Sequence, residues 1–84
     1  MEKKRQKAAK LAAQLCDSLR QWWGAQEIEI TEAGVIFIVC ATIRGGERVM
    51  LFANGATGKK SKNVTLYNEG TFNLWQTEGE NLAA

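Results

Sequence analysis

The chain has 84 residues, 45% hydrophobic and 24% charged, with no proline and no histidine. A chain this short is one domain with a thin core, burying only roughly 60–65% of the surface its unfolded form exposes. The composition excludes disordered and low-complexity classes, and the missing histidine removes the commonest metal ligand and general base together.

The first segment predicts a helix over 2–23. Ala8, Leu11, Ala12, Leu15, Cys16, Leu19, Trp22 and Trp23 form one apolar stripe at period 3.6. Lys3, Lys7, Lys10, Gln14, Asp17 and Gln21 occupy the opposite face, and Gly24 supplies the stop. Strands follow at 27–31, where isoleucine alternates with charge, and at 35–44, which is β-branched and apolar. Its longest apolar stretch, 35–41, is far too short to span a membrane.

Gly45-Gly46 then predicts a two-residue hairpin loop into a strand over 47–53. Residues 54–63 read as a polar, glycine-bearing loop. A second hairpin, 64–68 and 71–76, turns through Asn68-Glu69-Gly70, and an acidic tail follows from Thr77. The expected fold is α+β: one N-terminal amphipathic helix on a four- to five-stranded antiparallel meander, as a two-layer sandwich or a curled half-barrel.

The two-residue loop carries a register. Pairing Arg44 with Glu47 sets Thr42 opposite Val49, Cys40 opposite Leu51 and Ile38 opposite Ala53, on one face with Ile36. Phe37, Val39, Ala41 and Ile43 then share the other face with Arg48, Met50 and Phe52. Both faces are apolar in this register, and one helix covers only one of them. The second face must be closed by the C-terminal hairpin, by a second copy of the chain or by another partner. Ile36, Ile38, Leu51, Trp23 and Trp75 are therefore the candidate partner-binding residues, since exposed tryptophans commonly anchor interfaces.

Charge is segregated along the chain. Residues 1–24 hold six Lys/Arg against two acids and 44–63 hold five against one, whereas 25–34 and 64–84 each hold three Glu and no base. Lys59, Lys60 and Lys62 in the glycine-bearing loop, with Lys3, Lys7 and Lys10 on the helix, are candidate anion or nucleic-acid contacts. The loop departs from a phosphate-binding P-loop: Ala53 stands where its first glycine belongs and Lys60 where its Ser/Thr belongs. What remains is a basic loop with backbone N–H groups, and Tyr67 or Trp75 for stacking on bases.

No catalytic set emerges: Cys16 and Cys40 lack histidine partners, and neither Ser18 nor Ser61 sits in a recognisable motif. No metal or cofactor is expected. Both cysteines lie in apolar runs and no signal peptide is evident, which points to reduced thiols in the cytoplasm. In size and lack of motif the chain resembles the small proteins by which phages and mobile elements block host defence, anti-CRISPR proteins among them. That likeness is one of type and assigns no residues. The expected function is a non-enzymatic protein-binding module, an inhibitor or adaptor with a homodimer among its forms. Nucleic-acid binding is the alternative, and no membrane partner is expected.

Overall fold

The computed structural model describes residues 2–66 and 70–74. Helix α1 runs Glu2–Trp23 and is followed by β1 (Gln26–Ala33), β2 (Ile36–Thr42), β3 (Arg48–Asn54), β4 (Lys59–Lys60), β5 (Asn63–Leu66) and β6 (Gly70–Asn73). The first four strands form one antiparallel sheet in the order β1-β2-β3-β4, and β5 pairs with β6 in a second, two-stranded sheet. The expected α+β class holds. The meander, however, divides into two sheets, and the segment 54–63 contributes β4. Tyr67, the turn residues Asn68 and Glu69, and the chain from Trp75 onward, including its acidic tail, lie outside the described residues.

The apolar stripe of α1 does what its spacing demands: Ala8, Ala12, Leu15, Cys16, Leu19 and Trp23 are all buried. Gly24 takes φ +60 at the helix end, where a side chain is strained, and the Ala25 N–H reaches back to the Leu19 carbonyl at 3.1 Å. At the other end, Arg5 Nε meets Glu32 Oε1 at 2.8 Å and fastens the helix to the far end of β1.

The β2–β3 register differs from the expected one by a single residue, and the difference is decisive. Thr42 pairs with Arg48, Cys40 with Met50, Val39 with Leu51 and Ile38 with Phe52. The reason lies at the helix end. The Arg44 N–H donates to the Trp23 carbonyl at 2.9 Å, and the Arg44 guanidinium lies 5.2 Å from the Trp23 ring centroid. Arg44 is thereby drawn out of the ladder and cannot pair with Glu47. Ile43 takes that place, donating to Glu47 O at 2.8 Å, and the loop grows to the three residues Arg44, Gly45 and Gly46. A one-residue slip exchanges the faces of a strand.

Phe37, Val39, Ala41 and Ile43 consequently share the helix-side face with Val49, Leu51 and Ala53, and all seven are buried. Ile36, Ile38, Cys40 and Thr42 share the outer face with Arg48, Met50, Phe52 and Asn54.

After β3 the chain turns on Asn54. Its Oδ1 accepts from the N–H groups of Ala56 and Thr57, at 2.8 and 3.3 Å, and its carbonyl accepts from Gly58 at 2.9 Å. This Asx geometry returns Lys59 and Lys60 alongside β3, which is why β4 forms inside an apparent loop. The β5–β6 hairpin then packs on the helix side. Val64 and Leu74 enter the core, and the Leu74 carbonyl accepts from Ser18 Oγ at 2.7 Å and from Trp23 Nε1 at 3.0 Å. Of the three ways to close the second sheet face, the hairpin is thus not the one used among the described residues: it completes the first.

Candidate functional site

The outer face of the four-stranded sheet departs from ordinary alternation. An antiparallel sheet with one solvated face reads apolar inward and polar outward. Here the outward positions of the two central strands are Ile36, Ile38 and Cys40 beside Met50 and Phe52. Met50 is 72% exposed, Phe52 50% and Ile36 36%, while Ile38 and Cys40 are half-buried by their neighbours. Strands about 4.8 Å apart and rising about 3.4 Å per residue make this two-strand face roughly 10 by 24 Å.

One end of the face carries a charged cluster. Arg48 donates from Nη1 to the Glu27 carbonyl and to Thr42 Oγ1, both at 3.0 Å, and from Nη2 to Glu29 Oε1 at 2.9 Å. These bonds hold a bulge in β1 between Gln26 and Glu29, where Glu27 adopts φ +51. A shallow depression of about 410 Å³ lies there, lined by Glu27, Ile28, Glu29, Thr42 and Arg48. Its one cation is already engaged by three protein acceptors, so the depression offers no open anion seat.

Of the expected partner-binding residues, Ile36 and Ile38 do lie together on the outer face. Leu51 does not: the corrected register turns it under the helix, where it is 3% exposed. Trp23 is 1% exposed, donating to the Leu74 carbonyl and lying 6.1 Å, ring centroid to ring centroid, from Phe72. It is a core residue. Trp75 lies outside the described residues. Met50 and Phe52 are the members of the face that sequence reasoning set on the wrong side. Their signal was present, since they alternate with Val49, Leu51 and Ala53, but its phase depended on the loop.

The basic residues are redistributed as well. Lys3, Lys7, Lys10 and Gln14 fall within an arc of roughly 60° on the helix. Gly58 lies against the Lys7 side chain: a Cβ there would sit 3.0 Å from Lys7 Nζ. Lys60 Nζ bonds Gln14 Oε1. The fold therefore brings the helix lysines and Lys60 to one seam. Lys59 pairs with Asn54 on the outer face, and Lys62 is exposed beyond β4.

The turn between β3 and β4 is no cradle for phosphate. Every N–H from residue 55 to 59 already has an acceptor: Val35 O for Gly55, Asn54 for Ala56, Thr57 and Gly58, and Thr57 Oγ1 for Lys59. The backbone contribution expected from this loop is thus absent; only its lysines remain.

Cys16 is buried beneath the helix and Cys40 lies on the outer face, so the sheet separates these two free thiols. Burial pushes the Cys16 thiol above its ordinary range, an effect that Arg20 only partly offsets. Among the described residues no cluster of three or more His, Cys, Asp or Glu is placed to hold a metal ion, and no helix is long and apolar enough to cross a membrane. Compared with known proteins, the chain matches no family model, no curated protein and no solved structure.

Proposed function

We propose that the chain is a non-enzymatic protein-binding module and that the outer sheet face is its interaction surface, with a second copy of the chain as the occupant. The observation that carries the reading is the exposure of Ile36, Met50 and Phe52 close together on the two central strands, whose helix-side positions are all buried. An apolar patch of a few hundred Å² is about the largest a monomer ordinarily exposes, and such patches are often functional. Two such faces with their rims fall in the small class of interface, below about 1,200 Å² in total, which is the class of weak and transient association.

The rim supports a second copy in particular. A two-fold axis along β2 lays β1 of one copy over β3 of the other. The Arg48, Glu27 and Glu29 cluster of each copy then meets the same cluster of its mate, an isologous arrangement in which each Arg48 lies over carboxylates of both chains. An exposed apolar face on a small domain also suits an inhibitor or adaptor of the kind that phages and mobile elements use.

Sedimentation equilibrium from 1 to 300 μM tests the reading, these concentrations spanning roughly the affinity range of a small interface. The wild type should pass from monomer to dimer, and Met50→Lys/Phe52→Glu should stay monomeric with an unchanged circular-dichroism spectrum. A wild type that remains monomeric throughout removes the second copy as occupant. Protein binding is tested separately by capture from host lysate on wild-type and doubly substituted chains; identical captured sets would remove this face as the binding surface.

A further inference from the structure

A second surface is built by a different part of the fold. Along the solvent flank of α1, Lys3, Lys7 and Lys10 form a line that continues through Gln14 to Lys60, and at about 1.5 Å per residue it spans roughly 16 Å from residue 3 to residue 14. The acids nearest to it on the helix are turned to other bases. Glu2 contacts Arg5 and Gln6, and Asp17 lies 3.9 Å from Arg20. The three glutamates of β1 stand at the opposite edge of the sheet, where Glu29 and Glu32 are ion-paired with Arg48 and Arg5. Among the described residues the glutamates of β1 thus stand apart from the lysines gathered at the seam of α1 with β4.

We infer that this seam binds the sugar-phosphate backbone of nucleic acid without reading base sequence. A row of lysine point charges matches a row of phosphates, and binding of this kind draws its energy from released counterions rather than from a shaped pocket. Two competing polyanionic surfaces fit less well. A membrane surface needs an apolar helix face to insert beside the charges, but Ala8, Ala12, Leu15, Leu19 and Trp23 are committed to the core. An acidic protein needs apolar anchors within a charged rim; among the described residues Ile36, Met50 and Phe52 lie on the outer sheet face and Ile30 lies on β1, at the sheet edge opposite this seam.

Four lysine contacts to duplex DNA give a salt slope of about −3.6, so affinity should fall about 150-fold between 50 and 200 mM salt. Fluorescence anisotropy of a labelled 20-base-pair duplex, titrated with the full chain across that range, reads the slope. The triple variant Lys3→Gln/Lys7→Gln/Lys10→Gln removes three exposed charges from a helix whose buried face is untouched. It should flatten the slope to about −1, leaving roughly a 4-fold fall. Met50→Lys/Phe52→Glu should retain the wild-type dependence within the one or two contacts that its altered charge can contribute, which separates this surface from the outer face. Flat anisotropy at 50 mM salt would overturn the inference, as would a triple variant with the wild-type slope. Tighter binding to phosphatidylserine vesicles than to the duplex at equal salt would overturn it in favour of a membrane surface.

Discussion

Gly55 is the position where the structure permits the sharpest test of how the helix is seated. It is buried, its φ is not positive, and a Cβ built on it would stand 1.7 Å from the Lys4 carbonyl oxygen, 2.7 Å from the Lys4 carbonyl carbon and 3.1 Å from Ala8 Cβ. The obstacle is helix backbone, which has no rotamer to move into, so Gly55→Ala must push α1 away from the β3–β4 turn. Overpacking a closed interior costs typically 1–3 kcal/mol, and a backbone obstacle sets the expectation at the upper end, about 3 kcal/mol.

For a domain of this size each kcal/mol lowers Tm by roughly 4–8 °C, so a fall of about 12–24 °C follows. Thermal unfolding followed by circular dichroism at a helix band measures it. Gly34→Ala is the control. Nothing lies within 4 Å of a Cβ there, but φ is +64, so the cost is conformational alone and about 1 kcal/mol. A Gly55→Ala melt within a few degrees of wild type, or one less perturbed than Gly34→Ala, would refute the close approach of the turn to the helix.

Other substitutions probe the register, the hairpin and the thiols. Leu51→Ala should destabilise by about 2–5 kcal/mol in urea titrations, whereas Met50→Ala should stay within about 0.5 kcal/mol; the opposite order would restore the two-residue loop. Ser18→Ala removes a buried donor to the Leu74 carbonyl and should cost about 1 kcal/mol. Trp23→Phe removes the other donor to the same atom, so the double variant should depart from additivity. A thiol reagent should modify Cys40 in the folded chain and Cys16 only on unfolding. Because the Cys16 thiol is raised in the fold, the unfolded chain releases that proton first. Its contribution to stability is therefore complete below the ordinary thiol pKa of about 8.5 and is lost as pH rises beyond it. Denaturation midpoints at pH 7 and pH 10 should converge more in Cys16→Ala than in wild type.

Local chemistry determined the helix and the first three strands before any tertiary contact, though not β4, which the Asn54 turn lays beside β3. The i, i+3, i+4 stripe from Ala8 to Trp23 dictates which helix face is buried, and the alternation of 27–31 with the β-branched run 35–44 dictates strands. Both signals have their period written in adjacent residues, and the helix, these two strands and the α+β class follow. The existence of an apolar face in excess of what one helix can cover was equally legible, since it needs only a count of apolar positions on each side of a strand.

Which residues make up that face was decided by tertiary structure. The phase of β3 against β2 hangs on whether Arg44 pairs with Glu47 or with the end of the helix. That choice belongs to the Trp23 carbonyl, which is 21 residues away in the chain and 2.9 Å away in space. The same holds for the basic seam. Lys7 and Lys60 belong to segments whose meeting depends on Gly55 admitting the helix backbone, and on the Asn54 turn carrying β4 back along the sheet edge. A sequence encodes periodicity locally. The phase of a strand and the union of two charged segments are properties of contacts between distant parts of the chain, and those exist only once the helix has been placed.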